Sequence, residues 1–158
     1  MITKDKVEAA QNEWLKGIIR IGELKDDREK CEEYTRKFIS RMYGFDKYAV
    51  LFKPTKTSQI QFRNSFEGAL SYFIAGFEQF PEDRGFALRP WVKIEFENSG
   101  MILDENRALA MGNYYFEDAE GNSIKVEYTF GYKMNDEGEL LIDLHHSSIP
   151  CCSQMEAA

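Results

Sequence analysis

Histidine is almost missing from this chain: there are two among 158 residues, and they are neighbours, His145 and His146. A zinc site built from three or four His or Cys ligands in one subunit therefore has few parts to draw on. Cysteine is scarce as well, three in all, and an odd number in a chain of this size offers no disulfide framework and fits a reducing compartment. Cytoplasm is the expected location. Positive charge is short: 20 Lys and Arg stand against 27 Asp and Glu, a net charge of −7 with no basic cluster, which would repel a phosphate backbone. Nucleic acid is not an expected partner. No apolar run approaches the roughly 20 residues of a spanning helix, and Met1 to Glu8 lead straight into a charged helical pattern without a signal-peptide core. No membrane partner is expected, and the reading is a soluble protein or one whose targeting segment has been removed. Repeats, low-complexity segments and linkers are lacking too. What the chain has is apolar material, 43% hydrophobic residues, enough for one core, so a single domain over residues 1–158 is the expectation.

The apolar residues are ordered by two periods. Val7, Ala10, Trp14, Ile18 and Ile21 recur at steps of three and four, predicting a helix from Lys4 to Leu24. Lys25, Asp26 and Asp27 link it to a second stripe at Cys31, Tyr34, Phe38 and Met42, with Gly44 as the expected C-cap. A short strand, Ala49 to Phe52, precedes Pro54, which restricts its neighbour to extended backbone. Asn64 with Glu67 reads as a capping box, opening a third helix through Phe66, Leu70, Phe73 and Phe77. Then the period drops to two. Val92, Ile94 and Phe96 alternate with charge, and strands follow at Arg107 to Phe116, Ile124 to Lys133 and Leu140 to Ser148, separated by turn-forming runs at 118–122 and 135–138. Helices first and an antiparallel meander afterwards is an α+β arrangement in which a curved sheet wraps the helices. This order resembles the cone-shaped nuclear transport factor 2-like superfamily over nearly the whole chain. Such a fold implies a pocket between helices and concave sheet, and by itself does not name a function.

Chemistry concentrates at the end of the last strand, in His145, His146, Ser147, Ser148, Ile149 and Pro150. Neighbouring strand residues face opposite ways, so His145 goes with Ser147 and His146 with Ser148, unless a bulge intervenes. Leu140, Ile142 and Leu144 form a uniformly apolar row in phase with His146 and Ser148, which predicts that this second pair faces the pocket. Tyr72 lies with Ser65, Ala69 and Gly76 on a small-residue face of the third helix, with room around its hydroxyl.

The run from His145 to Pro150 resembles the signature of the iota-class carbonic anhydrases, and a second stretch agrees: Leu51 to Lys56, Gln61 to Arg63, and Phe66 to Phe73 are similar to that family's central segment. The resemblance implies reversible hydration of carbon dioxide, with a Thr, a Tyr and a Ser holding bicarbonate and a His nearby. Here these are Thr55, Tyr72, Ser147 or Ser148, and His145 or His146, with Thr57 as the neighbour that would share the face of Thr55. Hydroxyls suit a small planar oxyanion, since each donates one hydrogen bond and accepts others without placing a buried charge beside it. Phe73, Tyr128 and Phe130 are candidates for the apolar wall.

Zinc would lower the pKa of a bound water to about 7. The diverging histidines, and Cys151 directly beside Cys152 without a spacer, do not assemble such a site in one subunit. A metal-free site is therefore expected, with a His of pKa about 6.5 or Tyr72 as proton relay. The alternative is a divalent ion such as the zinc or manganese associated with some relatives of the class. A homodimer is expected, through outer-face positions such as Trp91 and Leu109. Two other readings belong to similar folds: a non-catalytic association module, or an isomerase or cyclase with Asp143 as base and Tyr72 stabilising an enolate, which would need a pocket for a polycyclic substrate.

Overall fold

A computed structural model describes residues 1–151. Helix α1 (Lys4–Glu23) starts where Thr3 accepts a hydrogen bond from the Lys6 amide at 3.2 Å, and it buries Val7, Gln11, Trp14, Ile18 and Ile21 along one stripe. Helix α2 (Arg28–Met42), capped by Asp27, buries Cys31, Thr35, Phe38, Ile39 and Met42. The two helices touch at Gly17, where a Cβ would lie 2.1 Å from the Phe38 ring. Gly44 is not a left-handed cap. The chain leaves α2 in extended backbone at Tyr43 (φ −113°, ψ 145°), which bridges to Ile142, while the Gly44 amide donates to the Ile142 carbonyl at 2.9 Å.

Strand β1 (Leu51–Lys53) follows, and helix α3 (Phe66–Ile74) is capped by Ser65 rather than Asn64: the Ser65 hydroxyl accepts from the Gly68 amide at 3.1 Å. Asn64 is occupied elsewhere, accepting from the Phe52 amide at 3.0 Å. The helix also ends before Phe77, because Ala75 takes a positive φ of 57° and the Ile74 and Ala75 carbonyls accept from Arg28, both at 2.7 Å.

Strands β2 (Trp91–Leu103), β3 (Arg107–Asp118), β4 (Ser123–Met134) and β5 (Leu140–Ser148) form the expected antiparallel meander, and β1 joins its end in parallel with β5, giving the order β1-β5-β4-β3-β2. One face of this sheet closes over the helices. Ala108, Ala110, Tyr114 and Phe116 from β3 and Val126, Tyr128, Phe130 and Tyr132 from β4 are buried there in one core, with Tyr114, Phe116 and Phe130 against Trp14 of α1, so the inner row is unusually aromatic. Trp91 is not an outer-face residue. A bulge after it turns the indole inward, where its Nε1 donates to the Phe86 carbonyl at 2.7 Å and the ring packs on Phe116.

Candidate functional site

A bulge in β5 decides which histidine enters the interior. Gly131 pairs with Leu144 and Tyr132 with Ile142, leaving Asp143 as an extra residue, and one extra residue shifts the alternation of everything after it. His145 and Ser147 are therefore turned inward, 2% and 1% exposed, whereas His146 is exposed and Ser148 is half-buried on the outer face. The prediction that His146 and Ser148 face the pocket is overturned: the apolar row that predicted it stops at Ile142. Gly131 makes the bulge fit, since a Cβ there would come within 2.8 Å of Leu144 Cβ and 2.9 Å of Arg107. Across that gap Arg107 reaches Asp143 at 2.6 Å. Asp143 is thus held in an ion pair beside the outward-facing Gly131, not poised as a base in the interior.

The His145 imidazole lies between Phe52 (centroids 4.8 Å apart, planes at 15°) and Phe130 (4.1 Å, 25°). Its edges are fully engaged. Nδ1 is 2.8 Å from the Tyr43 hydroxyl, and Nε2 is 3.0 Å from Ser147 Oγ and 3.1 Å from the Tyr114 hydroxyl, which are hydrogen-bonded to each other. Behind Tyr43, Trp14 Nε1 donates to the phenol oxygen at 3.1 Å. Burial, with a smaller contribution from His146, pushes the His145 pKa well below its ordinary value, so the ring is neutral at pH 7.

Tyr72 reaches the same spot from α3. Its ring stacks on Phe86 (5.5 Å, 18°), and its hydroxyl accepts from the Lys56 amide at 3.1 Å and lines the same cavity as Thr55. Burial raises this phenol's pKa, so it stays protonated. Thr55 lies where Pro54 bends the chain over the sheet edge. Thr57 does not share its role: its hydroxyl donates to the Gln61 carbonyl at 2.9 Å and closes the loop on itself. That loop is anchored by buried Arg63, paired with Asp83 at 2.7 and 2.8 Å, and by Glu82, which accepts from the Ser58, Gln59 and Ile60 amides. These backbone donors lower the Glu82 pKa to about 2.

The result is a small cavity between α1, α3, β1, β3 and β5, walled by Trp14, Phe52, Phe73 and Phe86 and lined by the hydroxyls of Thr55, Tyr72, Tyr114 and Ser147 with His145. The space at its centre takes a molecule of about the size of one water. A larger concavity, about 470 Å³, lies across the sheet on the outer face, where His146, Ser148, Glu127 and Met111 form an open groove. Size alone would favour that groove, but the buried, mutually bonded polar groups are all on the inner side. Of the predicted wall, Phe73 borders the cavity, Phe130 stacks on His145, and Tyr128 turns its hydroxyl to Asn98 instead. Trp14 was legible only as a core residue. Tyr43, just past the second helical stripe, and Tyr114, within the second long strand, were not singled out, because nothing local tied them to a histidine more than 30 residues away.

Residues 5–149 match the model of the metal-independent carbonic anhydrase family. The chain belongs to that family. It is 38% identical over 152 residues to a metal-independent carbonic anhydrase from Nostoc sp., covering 94% of this chain and 74% of the relative. The crystal structure of a cyanobacterial iota-carbonic anhydrase complexed with bicarbonate superposes with a TM-score of 0.93 at 37% identity, over 96% of this chain and 94% of that one. A Xanthomonas campestris protein described as a calcium/calmodulin-dependent protein kinase II association domain shares the fold alone (TM-score 0.63, 20% identity, 98% and 91% coverage). As a metal-independent carbonic anhydrase, the enzyme interconverts carbon dioxide and bicarbonate without a metal cofactor. Among the described residues no three His, Cys, Asp or Glu side chains gather in a group that could hold a metal ion, and Cys152 lies outside the described residues.

Proposed function

We propose that carbon dioxide hydration takes place in the inner cavity, with Thr55, Tyr72 and Ser147 as the hydroxyls that bind bicarbonate and His145 as the group that orients Ser147. The carrying observation is convergence: three hydroxyls from a loop, a helix and a strand line one cavity together with a neutral imidazole inside an aromatic shell. Aromatic walls tolerate apolar carbon dioxide, and hydroxyl protons aimed inward stabilise the oxygen that gains charge as water adds to carbon. A deeply depressed pKa makes His145 a poor proton store, in contrast to the relay expected of an ordinary histidine. The proton shed by the attacking water is instead passed between hydroxyls toward Thr55, the only one of the set that is not fully buried.

The test is carbon dioxide hydration after exhaustive chelation, in wild type and in Thr55→Ala, Tyr72→Phe and Ser147→Ala, beside His146→Ala and Ser148→Ala. Loss in the first three with retention in the last two is expected. Equal loss on both faces would remove the inner cavity as the site.

We further propose one domain acting as a cytoplasmic homodimer. Support for the dimer comes from the outer sheet face, where Met111 and Ile102 are exposed beside half-buried Leu109. Support for a reducing compartment comes from Cys31, held as a buried free thiol.

A further inference from the structure

The hydrogen bonds behind His145 have a direction, and that direction is set two residues away from the cavity. Trp14 Nε1 can only donate, so the Tyr43 oxygen must accept from it at 3.1 Å. The single proton of Tyr43 then has one partner in reach, His145 Nδ1 at 2.8 Å. If Nδ1 carried a proton instead, the Tyr43 oxygen would take two donors and its own hydrogen would be buried with no acceptor, since Tyr43 is fully buried. We infer that Tyr43, oriented by Trp14, is a positioning residue that locks His145 in the Nε2–H tautomer and so makes the inner hydroxyls donors toward the cavity.

The consequence follows from counting protons. With hydrogen on Nε2, His145 donates to the Ser147–Tyr114 pair. Two hydroxyls that receive one donor from behind need only one of their own protons for the bond between them, so the other points into the cavity they line. With hydrogen on Nδ1, Nε2 would accept, one hydroxyl proton would be drawn back to it, and the cavity would face lone pairs. The first arrangement suits an oxyanion and the second repels it. Each bond in a chain polarised one way also strengthens the next.

This inference rests on the proposed bicarbonate site, and its experiment separates the two. Only two histidines are present, so ¹⁵N-histidine labelling gives two imidazole patterns, from which the exposed His146 is identified by a His146→Gln variant. In wild type the buried ring is expected to show a protonated Nε2 and an unprotonated, hydrogen-bonded Nδ1. Tyr43→Phe should yield a mixture of tautomers and weaken bicarbonate binding about tenfold, the order expected for one lost donor. Tyr132→Phe removes a phenol hydroxyl from the same aromatic core, one that has no hydrogen-bond partner among the described residues and does not line the cavity, so it should keep the Nε2–H tautomer and the affinity. A protonated Nδ1 in wild type overturns the inference, as does Tyr43→Phe with unchanged tautomer and affinity, or equal losses of affinity in the two variants. Absence of any bicarbonate binding in wild type would instead overturn the site, while the tautomer patterns still report on the lock.

Discussion

Ser147 and Ser148 carry the same hydroxyl on adjacent residues, and only the first is sealed among hydrogen-bonding partners, His145 and Tyr114. Removing a preorganised donor from a charge-developing site costs on the order of a hundredfold in rate, so Ser147→Ala should lower kcat by about that factor. Ser148 bonds Glu127 at 3.2 Å on the outer face, and Ser148→Ala should stay within about twofold of wild type. Hydration assays on both variants check this. Tyr72 is a different case. Its phenol accepts from the part-buried Lys56 amide, so Tyr72→Phe removes that bond as well as a hydroxyl from the cavity. A drop in kcat should therefore be joined by about 0.5–1.5 kcal/mol of destabilisation, measured by denaturant unfolding.

Two elements carry the geometry on which those residues depend. The loop bearing Thr55 is held by a buried Arg63–Asp83 pair, with Ser71 donating to the same carboxylate at 2.5 Å. Removing one partner strands the other charge in the interior, so Asp83→Ala should cost about 3–5 kcal/mol in unfolding and take activity with it. Glu82 holds the tip of the same loop by backbone donors. Its folded pKa of about 2 lies below the ordinary value of 4.5, so its contribution is complete above that value and is lost as the pH falls from 4.5 toward 2. The second element is the β5 bulge. Any side chain at Gly131 meets Leu144, Arg107 and Asp143, so Gly131→Ala should disturb the β4–β5 register and lower activity without touching the cavity. Amide hydrogen exchange across β5 would reveal the loosened register.

At the scale of the whole molecule, burying a neutral histidine ties stability to pH. The folded pKa of His145 is pushed well below 6.5, so the unfolded chain takes up this proton first as the solution is acidified. Stability from this residue is fully present above about pH 6.5 and declines below it, down toward the folded pKa. Thermal unfolding should show Tm falling from pH 7 to pH 5, with a shallower slope in His145→Gln, well before the Glu82 window opens.

Much of this architecture could be read from residue order, because helix stripes and strand alternation are written in local period: α1, α2 and the four long strands appear where Trp14, Phe38, Ile94 and Phe130 place them. A histidine–serine run and a family resemblance also pointed to Thr55 and Tyr72, which the fold brings to one cavity with His145 and Ser147. Which face of β5 turns inward was not legible. Alternation predicts a face only while the register runs unbroken, and the single extra residue at Asp143 is allowed by Gly131 on another strand and pinned by Arg107 on a third. Likewise the partners of His145 come from Trp14, Tyr43, Phe52, Tyr114 and Phe130, spread along the chain from residue 14 to residue 130 and brought together only by the closing of sheet over helices. The sequence by itself determined the elements and the inventory of hydroxyls; the tertiary structure decided which histidine is buried, in which protonation state, and toward what, because those depend on contacts that no local pattern contains.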